Sequence, residues 1–134
     1  MNDILKLNVG IAGCGTMGLP MLEVLLKNGV NAFGYDVKSK ENFPTLKENF
    51  ISSKVNFFEK SDIIFSAVRD INQTVELCEG KNGLFKVNTQ KILIISSTLS
   101  PAFLSNFINK VPENITIIDA PMSGAPMSAK NATL

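Results

Sequence analysis

The chain has 134 residues, 45% of them apolar and 19% charged, with a formal net charge of +1 and no histidine. That is the size of one domain with a real core. The near-neutral balance, free of basic or acidic blocks, speaks against a nucleic-acid partner, and the lack of histidine removes imidazole acid–base chemistry and any histidine zinc site.

Residues 1–12 carry neither the basic start nor the cleavage site of a signal peptide, and residues 1–5 read as a short lead-in. Lys6 to Ala12 is predicted to be a strand, almost wholly apolar after Asn8, as a strand buried on both faces should be. It runs into Gly13-Cys14-Gly15-Thr16-Met17-Gly18, a Gly-x-Gly-x-x-Gly turn. In such a turn the first glycine permits a sharp bend, the second lets backbone approach a pyrophosphate, and the third lets the following helix pack against the strand. That helix is predicted over Thr16 to Lys27, with Met17, Met21, Leu22 and Leu25 at helical spacing, Pro20 in its first turn and Gly29 as its cap.

Asn31 to Tyr35 reads as a second strand, closed by Asp36. A carboxylate after a strand is commonly a turn residue. Here it follows the glycine turn at about the 20-residue separation from which an acid reaches the ribose hydroxyls of an adenosine. Residues 38–53 are predicted to hold a helix from about Pro44, with Phe43, Leu46, Phe50 and Ile51 on one face. Val55 to Phe57 is predicted as a short third strand and Asp62 to Val68 as a fourth. A helix over residues 70–78 is expected to turn Ile71, Val75 and Cys78 inward, and Gly80 and Gly83 mark a loop. Lys91 to Ser96 is a fifth strand. Ser100-Pro101 opens a helix with Phe103, Leu104, Phe107 and Ile108 on its apolar face. Ile115 to Ile118 is a sixth strand, and residues 119–134, rich in Pro, Ser, Ala and Gly, read as an ordered loop at the sheet's edge.

Strands alternating with helices predict an α/β fold: a doubly wound, Rossmann-type parallel sheet with helices on both faces. Its ligand crevice is expected at the carboxyl ends of the first and fourth strands, where strand order reverses. No apolar run is long enough to cross a bilayer. Cys14 and Cys78 stand in no metal-binding spacing and read as reduced thiols of a cytoplasmic protein, and no metal is expected.

Three stretches, in this order, resemble the NAD(P)-binding domain of the beta-hydroxyacid dehydrogenases, the family that includes 3-hydroxyisobutyrate dehydrogenase and 6-phosphogluconate dehydrogenase. They are Gly13-Cys14-Gly15-Thr16-Met17-Gly18-Leu19-Pro20-Met21, Ser97-Thr98-Leu99-Ser100-Pro101 and Asp119-Ala120-Pro121-Met122-Ser123-Gly124. The resemblance implies that Gly13, Gly15, Thr16, Met17 and Gly18 hold the dinucleotide and that Asp36 holds its adenosine ribose, which favours NAD. Lys38 and Lys40 soften the bias against NADP. Val68, Arg69 and Thr98 would line the path to the nicotinamide, while Ser123 and Gly124 would hold a small beta-hydroxy acid. The sequence departs from the family pattern at Ala125, Ser128 and Ala132, where glycines are usual. It departs also at Ile95, where an acid is usual, and at Arg69, where a proline is common.

The resemblance also implies a catalytic lysine on a later helix and a C-terminal helical domain, and no lysine of this chain matches the former. The expectation is therefore an N-terminal fragment, ending before the last strands of its sheet and inactive alone, of an oxidoreductase that is a homo-oligomer at full length. Other dehydrogenase types fit less well: the single tyrosine, Tyr35, is followed four residues later by Ser39 and not by lysine. Two alternatives are a nonenzymatic nucleotide-sensing domain, which has no need of Asp119–Gly124, and an S-adenosylmethionine methyltransferase, against which the Met-Gly-x-Pro-Met continuation argues.

Overall fold

The structure, a computed structural model, describes Asp3 and residues 6–134. The rest of the lead-in expected at residues 1–5 lies outside the described residues. In chain order the elements are β1 (Asn8–Ala12), α1 (Gly18–Lys27), β2 (Asn31–Tyr35), 3-10 turns at Lys40–Asn42 and Lys47–Asn49, α2 (Lys54–Lys60), β3 (Ile63–Ser66) and α3 (Ile71–Glu79). They continue with a 3-10 turn at Leu84–Lys86, β4 (Lys91–Ile95), α4 (Pro101–Ile108), β5 (Ile115–Asp119) and α5 (Pro126–Lys130). The strands form one parallel sheet in the order β2-β1-β3-β4-β5. The chain is α/β and Rossmann-like, and strand order reverses between β1 and β3, as expected.

Side-chain alternation divides the core. Val9 and Ile11 of β1 face Leu22 of α1 together with Phe43, Leu46 and Phe50. Ala12, Ile64, Leu93 and Ile95 point the other way, onto Phe57 and Phe58 of α2, Leu77 and Cys78 of α3, Leu84, and Phe107 of α4. Both faces of the central strands are buried, which is why these strands are apolar without alternation.

Four local expectations are corrected. The predicted third strand, Val55 to Phe57, lies inside α2. Ser53 caps this helix by accepting the Asn56 N–H at 3.2 Å, and adjacent Phe57 and Phe58 are both fully buried. The helix lies flush on β1 at Gly10, where a Cβ would stand 2.6 Å from the Phe57 ring. A three-residue apolar run does not distinguish strand from helix by periodicity.

The helix expected within residues 38–53 is replaced by the two 3-10 turns. Phe43, Leu46 and Phe50 are buried, as their spacing implied, but through a ring stack of Phe43 on Phe50 at 5.1 Å and a return of the chain to the sheet. Phe50 makes a single parallel bridge with Gly34, and the Ile51 N–H donates to the Gly34 carbonyl at 2.9 Å. One bridge thus stands at the outer edge of β2 where a further strand was expected, leaving five strands.

Residues 119–134 are not all loop. Pro126 starts α5, and Ala129 is buried beside Met21 and Leu25 of α1. Finally, Ile71 and Ile108 are exposed, and the buried residues of α3 are Thr74 and Leu77 together with the expected Cys78.

Candidate functional site

The five strands end on one rim, and backbone hydrogen bonds join their ends in sequence across it. The Gly13 N–H donates to the Tyr35 carbonyl (2.8 Å), Ala67 to Ala12 (2.8 Å), and Ser96 to Ser66 (3.0 Å). Ala120 donates to Ile95 (2.9 Å) and Met122 to Ser96 (3.0 Å). This set places Asp36, the glycine turn, Val68–Arg69, Ser97–Thr98 and the Asp119–Gly124 segment in order along the crevice edge. Asp36, the glycine turn, Val68, Arg69 and Thr98 follow these strand ends directly, and Ser123 and Gly124 come just after Met122, with the Cβ position of Gly124 beside Ser128 and Leu134.

The glycine turn is built by three different constraints. Gly13 has φ +92° and its Cα is wedged against Ala67, where a Cβ would stand 3.0 Å from the carbonyl; this is backbone that L side chains rarely adopt. A Cβ on Gly18 would lie 1.7 Å from the Gly13 carbonyl oxygen, so only glycine lets α1 start this close to β1. Gly15 differs: nothing lies within 4 Å of its Cβ position, and the residue is exposed. Beside it, α1 begins at Met17 without a side-chain cap. The Leu19 and Met21 N–H groups are taken by the Gly15 and Met17 carbonyls at 3.1 and 3.3 Å and Pro20 has none, so what the start of α1 offers an anion is the turn N–H groups before Leu19 and the positive end of the helix dipole. Thr16 is exposed and Met17 half-buried.

Asp36 is half-buried and already organised. Its Oδ2 accepts the Cys14 N–H at 2.8 Å and its Oδ1 the Lys38 N–H at 2.9 Å. Each carboxylate oxygen has a second lone pair free. The Cys14 thiol lies beneath the turn, 2% exposed; burial, and then the Asp36 charge, push it up to about 12, so it is no nucleophile at neutral pH.

Across the crevice, Val68 is half-buried and its carbonyl accepts the Ser97 hydroxyl. Arg69 is exposed, with its N–H on Gln73 Oε1 at 2.8 Å, while Asp70 caps α3 by accepting the Gln73 N–H at 2.9 Å. Thr98, Ser123 and Gly124 are exposed, and Gly124 has φ +133°. Sequence reasoning assigned no role to Ser97 or Gln73. The Asp-x-x-Gln spacing of Asp70 and Gln73 is a capping signal, here with Gln73 reaching back one residue further, to the Arg69 N–H; Ser97 has no local signal, because its partner Val68 lies in the turn after another strand. Among the described residues, no three His, Cys, Asp or Glu side chains converge as a metal site would require, and no helix is long and apolar enough to cross a membrane.

A dinucleotide fits this rim. The open ground at Gly15 is a cradle that a Cβ would fill, the glycine turn and the positive dipole end of α1 suit a pyrophosphate, and Asp36 offers oriented acceptors to a ribose. A family profile described as the NAD binding domain of 6-phosphogluconate dehydrogenase matches residues 8–134. The chain belongs to that family.

As an NAD-binding domain of this family, the chain is 33% identical over 133 residues to human mitochondrial 3-hydroxyisobutyrate dehydrogenase, covering 96% of this chain and 40% of the relative. The crystal structure of 3-hydroxyisobutyrate dehydrogenase from Salmonella typhimurium superposes with a TM-score of 0.80 at 24% identity, over 93% of this chain and 45% of that one. An imine reductase from Myxococcus stipitatus, solved as a variant with NAD+ and separately with NADP+, has TM-scores of 0.78 and 0.79 at 19% and 18% identity. It covers 92% and 90% of this chain, and 43% of its own chain in each case. The chain thus spans less than half the length of these relatives. Their likeness bears out the Rossmann-type sheet, and the family, an NAD binding domain, bears out the nicotinamide cofactor expected from the three motifs.

Proposed function

We propose that residues 8–134 form the cofactor-binding part of a dehydrogenase that moves hydride between a nicotinamide cofactor and a small beta-hydroxy acid, as 3-hydroxyisobutyrate dehydrogenase does. The observation that carries this reading is that the glycine turn after β1 and the Asp119–Gly124 segment after β5 lie on one rim. A domain that only sensed a nucleotide needs the turn and Asp36 and has no use for the second segment.

In this reading the N–H groups of Gly15 to Gly18 hold the pyrophosphate, with Gly13 shaping the turn and Thr16 and Met17 at its exposed lip. Asp36 accepts from the ribose hydroxyls and repels a 2′-phosphate, which favours NAD over NADP; Lys38 and Lys40 temper that bias. Val68, Arg69 and Thr98 line the path toward the nicotinamide, which when bound supplies the hydride acceptor. Ser123 and Gly124 hold the carboxylate and hydroxyl end of the substrate. These residues contribute by orientation, the largest benefit available to groups that transfer no proton themselves. The proton-transferring lysine is assigned to a residue outside these 134, since Lys130 lies on α5 within the final segment. Turnover by the 134-residue chain is not expected.

Titrating the purified chain with NAD, NADP and S-adenosylmethionine tests the reading. Saturable NAD binding, tighter than NADP, is the expected result. A preference for S-adenosylmethionine refutes it, and dehydrogenase turnover by this chain refutes the assignment of the lysine.

A further inference from the structure

We propose that the Arg69 guanidinium is an anion-recognition group of the cofactor crevice, neutralising the pyrophosphate. The inference rests on the dinucleotide reading and adds to it a charge that the glycine turn lacks.

The placement comes first. Arg69 is the sole arginine in the sequence. It lies just beyond β3, at the point where strand order reverses between β1 and β3. The backbone immediately before it touches the glycine turn: the Val68 nitrogen is 3.1 Å from the Cβ position of Gly13.

The anchoring is the second observation. The Arg69 N–H is held by Gln73 Oε1 at 2.8 Å, and the Gln73 N–H by Asp70 Oδ1 at 2.9 Å. The Thr74 hydroxyl donates to the Asp70 carbonyl at 2.9 Å, so the first turn of α3 is tied on both sides. The backbone of Arg69 is thereby fixed, while its side chain is exposed and joins none of the ion pairs among the described residues, which are Lys6–Asp3, Lys54–Glu76 and Lys110–Glu79. The adjacent Asp70 forms no ion pair with it, and its Oδ1 is engaged in the cap.

Charge balance is the third. The glycine turn offers only N–H dipoles, and Asp36 adds a negative charge to the same rim that opposes a pyrophosphate. Lys38 and Lys40 follow β2, on the far side of Asp36. Arg69 stands on the side of the turn away from Asp36, across β1 from β2. A planar guanidinium on a fixed backbone meets phosphate oxygens in pairs, which a flexible ammonium does not do.

The test compares the native chain with Arg69→Gln and Arg69→Lys, titrated with NAD, NADP and ADP at low and high salt. Arg69→Gln is expected to weaken NAD and ADP alike by about three- to tenfold, the range of a partly solvated charge-assisted contact, and to flatten their salt dependence. Arg69→Lys should recover part of the loss. Unchanged NAD and ADP affinity in Arg69→Gln overturns the inference while leaving the dinucleotide reading intact. A loss confined to NADP overturns it in favour of a 2′-phosphate contact. Failure of the native chain to bind any of the three removes both.

Discussion

The backbone N–H of Cys14 donates to Asp36 Oδ2 over 2.8 Å, joining the tip of β2 to the middle of the glycine turn. With Lys38 N–H on the other oxygen at 2.9 Å, the carboxylate is oriented by its own chain. An acid aimed in advance loses no side-chain freedom when a ribose arrives, and affinity gained this way comes from preorganisation. The same two bonds make Asp36 a structural residue.

Asp36→Ala should therefore act twice. It leaves the Cys14 and Lys38 N–H groups without their acceptor, at a cost of about 1–3 kcal/mol in unfolding free energy, and it removes the acceptors that the proposed reading gives to the ribose. Asp36→Asn retains one acceptor oxygen and should lose less stability while still losing NAD affinity. Denaturant unfolding and NAD titration of both variants check this; equal stability of Asp36→Ala and the native chain counts against the structural role.

Gly15→Ala and Gly18→Ala should separate binding from folding. A Cβ at residue 15 meets nothing within 4 Å, so stability should change by less than about 0.5 kcal/mol. In the proposed reading the methyl group stands where the pyrophosphate approaches, so NAD affinity should fall at least about tenfold, or about 1.4 kcal/mol. At residue 18 the Cβ would collide with the Gly13 carbonyl at 1.7 Å, so α1 must shift and the melting temperature must drop. Melting curves beside titrations distinguish the two.

Neither cysteine should react in the folded chain at neutral pH. Both thiols are pushed up to about 12, by burial first and by Asp36 or Glu79 next. Iodoacetamide should modify Cys14 and Cys78 only after denaturation, as read by mass spectrometry. Rapid alkylation of Cys14 in the native state would contradict the buried position under the turn.

Lys91 makes stability depend on pH at the alkaline end. It is 4% exposed at the start of β4, and its ammonium donates to the Glu59 and Ser61 carbonyls at the end of α2. Burial holds its pKa below the ordinary 10.5, outweighing the pull of Asp62 and Glu59. Between the folded and unfolded values the unfolded chain binds the extra proton, so stability rises with pH through that window. The gain is complete above about 10.5 and absent below the folded value. Lys91→Met should lose this rise, and denaturant midpoints of both proteins at successive alkaline pH values measure it.

Much of the rim was legible before any coordinates, for reasons that are local. Gly13 and Gly18 signal their turn because other residues do not tolerate the positive φ of the one and the close helix contact of the other, and Gly15 at that spacing leaves the ground between them open. Asp36 is legible by its distance from them. Val55–Phe57 was misread because three apolar residues carry no period, and residues 38–53 were misread because burial of Phe43, Leu46 and Phe50 suits a helical face and a folded-back segment equally. The α5 helix escaped notice because Pro, Ser, Ala and Gly resemble loop composition, whereas the burial of Ala129 beside α1 is a contact more than a hundred residues distant in sequence.

By itself the sequence determined the alternation of strand and helix on either side of residues 38–57, the parallel sheet that follows from it, and the glycine turn, because these rest on neighbours close along the chain. Only the tertiary structure decided that Phe50 bridges Gly34 while the expected third strand is helix α2, that Cys14 orients Asp36, and that Ser97 is tied to Val68. Each of those is a pairing between segments whose register depends on how the whole core fills, and no short window of sequence contains that information.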